Sequence, residues 1–331
     1  MTRRVRPGAF PLAIASVVAV AGCQVGPTPS PPTSTPSASP SGSAAEPVGR
    51  IAFTRIVAAE GQPAAGGIWI VDAAGGTPEP LIDGPGIETF PAWSPDGTRI
   101  AYVVGPTFAD GDIWIANADG SDARQLTDRA GREWAPAWSP DGRRIAYVTT
   151  DEGSQVWTDV VDEDVPPRAI VPAHWPSWSP EGDQLVITVG DSFSTGALAA
   201  IDLIEGNTRA LPIALPNASE GTIAPDGRVA FVSSATDYAD QDPGTWNEDI
   251  WLFTPGGDAP VQLTFTPGND HWPPTFSPDG RWLAYTSDAL PPETTGRIAL
   301  VPAAGGEPRY LTDGAAYDGF PAWQPIPEAA G

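Results

Sequence analysis

Trp93-Ser94-Pro95-Asp96-Gly97 returns as Trp138-Ser139-Pro140-Asp141-Gly142. Altered copies follow at Trp178-Ser179-Pro180-Glu181-Gly182, Ile223-Ala224-Pro225-Asp226-Gly227 and Phe276-Ser277-Pro278-Asp279-Gly280, and a truncated sixth closes the chain at Phe320-Pro321-Ala322-Trp323-Gln324-Pro325. The spacing of 40 to 53 residues means a propeller or a solenoid. Ser-Pro-Asp-Gly has turn chemistry: Ser suits the first position, Pro presets the second and Gly suits the fourth.

Working outward from the turn, each repeat predicts four short strands rich in aromatic and β-branched residues. The full plan reads Ala135 to Ser139, then Arg144-Ile145-Ala146-Tyr147-Val148; the preceding repeat continues with Ile113-Trp114-Ile115 and Gln125-Leu126-Thr127. The register is offset, because the chain starts on a second strand (Arg50 to Arg55) and ends on a first strand (Gly319 to Trp323). The expectation is all-β: a six-bladed propeller of four-stranded antiparallel blades. Its C-terminal strand would join the N-terminal blade and close the ring, leaving only short, protected edges. Residues 49–326 form this propeller and 327–331 a tail.

The order Pro-x-Trp-Ser-Pro-Asp-Gly-x-x-Ile-Ala-Tyr, Ile-Trp-Ile, Gln-Leu-Thr resembles the TolB-like β-propeller family over about residues 49 to 326. The Gly-His and Trp-Asp signature of eukaryotic WD repeats is absent. TolB carries an additional N-terminal α/β domain that is not expected here. Similar propellers precede the hydrolase domain of prolyl-oligopeptidase-like peptidases, but the resemblance covers only propeller repeats and implies no peptidase activity.

Arg3, Arg4 and Arg6 precede an apolar stretch from Ala9 to Ala21. This reads as a signal peptide over 1–22, too short for a spanning helix. It ends in Val20-Ala21-Gly22-Cys23, which resembles a bacterial lipobox. Cys23 is the only cysteine in 331 residues, so it forms no internal disulfide and stands where lipidation needs it. From Gln24 to Val48, 16 of 25 residues are Pro, Ser or Thr. The expectation for 23–48 is a lipidated cysteine and a disordered tether. It would hold the propeller, a monomer, off a bacterial membrane and facing the periplasm or cell wall.

The chain has 41 acidic and 17 basic residues, net −24, and every basic residue is Arg. That balance argues against nucleic acid and against docking on anionic lipid by charge. It suits basic partner surfaces, cationic ligands or metal ions, and equally a soluble exported surface.

Counting three residues back from Pro91, Pro136, Pro176, Gly221, Pro274 and Pro321 gives Glu88, Glu133, Ala173, Ala218, His271 and Asp318. Glu88, Glu133, His271 and Asp318 are therefore expected to line one channel mouth as a crescent, flanked by Trp134, Trp272, His174 and Asp270. Such a crescent suits a divalent cation or the cationic group of a partner; a polar, wet mouth is the plainer reading. No other cofactor is implied. His174 and His271 each precede a Trp and also read as strand-end caps.

Gly190-Asp191-Ser192-Phe193-Ser194 looks like a Gly-Asp-Ser esterase block. That family needs a downstream Asp-x-x-His, and the residue three before His271 is Gly268. No nucleophile elbow, phosphate loop or His-Glu-x-x-His occurs. The loop from Ser233 to Asp249 reads either as a recognition loop or as a disordered insertion. Asp112 and Asp249, both before Ile-Trp, read as structural. The expected function is non-catalytic binding of a cell-envelope protein or exported ligand. A propeller enzyme or a solute receptor working at the channel mouth is the alternative.

Overall fold

A computed structural model describes residues 45–57, 65–107, 110–129, 131–150, 153–190, 196–235, 248–265, 270–288 and 296–326, without the side chains of Asp110 and His271. The signal peptide, Cys23, most of the tether, the core of the Gly-Asp-Ser block and most of the 233–249 loop lie outside the described residues.

All 24 described elements are strands. The repeat folds as its pattern predicts. Glu133–Trp138, Arg144–Thr149, Gln155–Val160 and Arg168–Val171 form one antiparallel sheet in sequence order. Ile145, Ala146, Tyr147 and Val148 are all fully buried, so this second strand is covered on both faces. Each large apolar side chain so buried contributes roughly 1.5–3 kcal/mol.

The repeated turn explains its own residues. Ser94 N–H donates to Arg99 O at 2.9 Å and Gly97 N–H to Ser94 O at 2.8 Å. Ser94 Oγ donates to Asp96 Oδ1 at 2.6 Å and accepts from Arg99 N–H at 2.9 Å. Gly97 has φ 67°, which glycine adopts freely. Ser139 and Ser277 repeat the arrangement.

The blade count is corrected. The strands make four separate four-stranded blades, not six; the other eight strands form a single sheet. A parallel bridge between Gly66 and Ile87 fuses them. Gly66 permits it, since a Cβ there would stand 2.8 Å from Ile87 Cγ2. The expected closure of a six-bladed ring is corrected with it. Tyr317–Trp323 does pair antiparallel with Arg50–Val57, but inside the eight-stranded sheet and not as the last strand of a separate blade.

The motif residues also join neighbouring repeats. Trp93 Nε1 donates to Ala322 O at 3.2 Å, Trp138 to Ala92 O at 3.1 Å and Trp178 to Ala137 O at 3.0 Å. Arg99 and Arg144 lie over Trp138 and Trp178, 4.7 and 4.6 Å from the ring centroids. They donate to Gly142 O and Gly182 O of the next turn. Thr127 Oγ1 accepts from Ile113 N–H at 2.9 Å while Gln125 Nε2 donates to Asp112 Oδ2 at 2.9 Å. Thr264, Ile250, Gln262 and Asp249 do the same. The Asp-Ile-Trp and Gln-Leu-Thr phrases are thus two halves of one clasp.

The four residues before Gly49 are packed on the propeller. Trp282 Nε1 donates to Ala45 O at 2.9 Å, Trp323 Nε1 to Val48 O at 2.9 Å, and Arg309 pairs with Glu46 at 3.1 Å. Pro47 is buried.

Candidate functional site: the axial cavity and its aromatic floor

Six inner strands converge: Ile87–Trp93, Glu133–Trp138, His174–Trp178, Ser219–Ile223, Asp270–Phe276 and Tyr317–Trp323. Each slips register at the same place, for example between Thr89 and Ala92 and between Trp134 and Ala137. There each strand holds one non-glycine residue at positive φ: Phe90 (53°), Ala135 (51°), Trp175 (50°), Glu220 (58°), Trp272 (67°) and Phe320 (54°). Such a conformation costs on the order of 1–3 kcal/mol per residue unless the surroundings enforce it. Two interactions do so. Phe90, Glu220 and Phe320 donate their N–H to Thr54, Thr188 and Thr286 Oγ1 of the preceding second strand, at 3.1, 2.9 and 3.1 Å. The turned-in rings pack together: Phe90 on Phe320 at 4.2 Å, Trp272 on Phe320 at 4.7 Å, and Trp134 edge-on to Trp175 at 4.6 Å.

Beneath this floor lies a cavity of about 350 Å³ to which all six inner strands contribute. Its walls carry Pro91, Pro136, Pro176, Pro274 and Pro321 above Trp93, Trp138, Trp178 and Trp323, and no charged residue. Proline has no N–H, and all four indoles donate to backbone carbonyls elsewhere. The lining mixes these apolar rings with the hydroxyls of Ser177, Thr222 and Thr275 and holds no charged side chain, so the cavity suits an uncharged group.

The carboxylates expected at the mouth are inside the protein. Glu88 is 1% exposed. Burial pushes its carboxyl up, partly countered by the backbone N–H groups of Gly84 and Gly86. Glu133 is fully buried; burial pushes it up to about 7, although Thr127 Oγ1 donates to it. Asp318 forms a two-pronged pair with Arg55 at 2.6 and 2.7 Å, and burial still leaves it above its ordinary value. Asp270 is fully buried. Trp134, Trp272 and, at 5.9 Å from Trp134, His174 join the aromatic floor. The side chain of His271 lies outside the described residues. Among the described residues no group of three or more His, Cys, Asp or Glu side chains stands together to hold a metal ion.

One residue escaped the sequence reading. Glu220 occupies the turned-in position filled by rings or Ala135 elsewhere, and it is 4% exposed. Burial, reinforced by Glu248, pushes its carboxyl well up. Its Oε2 finds no hydrogen-bond partner among the described residues. Counting back one residue from the Pro91 series, instead of three, would have found it.

Residues 30–242 match the TolB beta propeller domain family, and the chain belongs to that family. TolB from Acinetobacter baumannii superposes with a TM-score of 0.69 at 21% identity, over 83% of this chain and 66% of that one. A putative TolB from Agrobacterium tumefaciens gives 0.60 at 18% identity, over 84% and 99%. A puromycin-hydrolyzing peptidase of Mycobacterium tuberculosis gives 0.51 at 18% identity, over 78% of this chain and 45% of that one. At these identities the likeness is one of fold. No curated protein matches the sequence.

Proposed function

We propose that this chain is a non-catalytic binding scaffold of the bacterial envelope, taking an uncharged group of an envelope protein or exported ligand into the axial cavity. The observation that carries the reading is the cavity itself: about 350 Å³, uncharged, and built by all six inner strands at a cost in backbone strain. Membership of the TolB family favours the envelope location. The lipobox-like Val20-Ala21-Gly22-Cys23 supports export and lipidation at Cys23, with the Pro, Ser and Thr-rich stretch as the tether.

Placing a charge in the cavity tests the binding reading. Thr275 lines it, and Thr275→Arg would block an uncharged occupant. Envelope proteins retained by the wild-type chain and lost by this folded variant support the proposal; retention unchanged by the variant refutes it. Cys23→Ala tests the anchor separately, since it should move the protein from the membrane fraction to the soluble fraction.

A further inference from the structure

The third strand of each repeat pairs with the second, and that pairing aligns one position across all six copies. Opposite Ile51, Ile100, Leu185, Val229 and Leu283 stand Val71, Ala116, Ile201, Phe253 and Val301. All five are apolar and buried. Opposite Ile145, in the remaining copy, stands Asp159, also nine-tenths buried. A carboxylate at an apolar core position is costly without compensation, and a residue that breaks the local rule is where function is expected.

The compensation inside the protein is partial. The backbone N–H of Val160 and, after it, Arg129 favour the charged form of Asp159, but the field of Arg129 is shared with Glu133, and its guanidinium lies 3.9 Å from the centroid of the Trp157 ring. Burial still holds the Asp159 carboxyl above its ordinary range.

Asp159 also lines a second cavity, about 480 Å³, between Arg124–Gln125 and the sheet of Glu133–Trp138. Five acidic and two arginine side chains line it. Asp162 is committed to Arg99 and Arg124 at 2.8 and 2.5 Å, and Glu163 to Arg143 at 2.9 Å. At the rim, Asp128 and Asp164 make no ion pair among the described residues. Negative charge is in excess. The carboxylates do not converge on a point as a metal requires, whereas an extended organic cation can span floor and rim.

We propose that this lateral cavity binds an organic cation, an ammonium or guanidinium group on a short apolar stem, with Asp159 as its counter-charge. The site is separate from the axial cavity and does not depend on it.

Titration calorimetry of the full chain with agmatine tests the site, using Asp159→Asn, which keeps the shape, and Asp159→Val, which restores the apolar residue of the other copies. Saturable binding to the wild type, weakened about tenfold or more in Asp159→Asn as loss of a charged partner implies, supports the proposal. So does an Asp159→Val chain that binds no agmatine yet unfolds at or above the wild-type midpoint. Equal binding to all three chains, equal binding of benzoate, or no binding to the wild type at millimolar agmatine overturns it. Within a positive result, tighter binding of agmatine than of the peptide Gly-Arg-Gly identifies a free amine as the ligand; the reverse order identifies a protein side chain.

Discussion

Trp138 donates its indole N–H to the carbonyl oxygen of Ala92, 3.1 Å away on the neighbouring inner strand. The same bond joins Trp93 to Ala322 and Trp178 to Ala137, so the tryptophan of the repeated phrase is chosen for reach across repeats as well as for bulk. Trp138→Phe keeps most of the apolar area but leaves the Ala92 carbonyl without that donor. The expected loss is about 1–2 kcal/mol, read as a lower urea midpoint at unchanged slope.

Gly66 and Ile87 fuse the two halves of the eight-stranded sheet. Gly66→Ala puts a methyl 2.8 Å from Ile87 Cγ2 and is expected to destabilise by about 1–3 kcal/mol. Ile87→Ala should relieve the clash, so the double variant should lose less than the sum of the two singles. A double-mutant cycle in urea measures that coupling; strict additivity would mean the contact carries no energy.

Glu133 gives the protein a pH dependence of known sign. Its carboxyl rises from an ordinary 4.5 to about 7 on folding. Between those values the folded state holds the proton more tightly, so the contribution of this group to stability is full below pH 4.5 and is lost as pH rises through 7. The loss attributable to this group is up to about 3 kcal/mol. Glu88, Glu220 and Asp318 shift in the same direction. Glu133→Gln should match the wild type near pH 4.5 and exceed it at pH 8; parallel unfolding midpoints across that range would refute the assignment.

The segment Ala45–Val48 accepts two indole N–H bonds and one exposed ion pair. The exposed pair adds little, but the two indoles and buried Pro47 matter. A chain beginning at Gly49 should be less stable than one beginning at Ala45 by about 2 kcal/mol, and thermal unfolding of the two chains measures it.

The strands, turns and their order were legible because Ser-Pro-Asp-Gly encodes a turn locally and the flanking Ile-Ala-Tyr and Ile-Trp-Ile encode buried strands. The fusion at Gly66 was not, since a close approach between distant strands leaves only a glycine behind. The burial of Glu88, Glu133 and Asp318 was not legible, for one reason. Counting from Pro91 or Pro136 back to Glu88 or Glu133 crosses the bulge at Phe90 or Ala135, and one extra residue changes the face to which a strand directs its side chains. Trp134 and Trp272, expected to flank the crescent, pack into the aromatic floor. Glu220 lies one residue before Gly221, where a count of three passes over it, and Asp159 emerged only once the backbone register aligned the six copies.

Site-specific photo-crosslinking in intact cells tests the central claim most directly. A photoreactive side chain at Thr222, on the wall of the axial cavity, is compared with one at Thr208, exposed on an outer strand. The account predicts adducts with an envelope protein or exported ligand from Thr222 and not from Thr208. Adducts from Thr208 alone or equally from both, or none from Thr222, would contradict it.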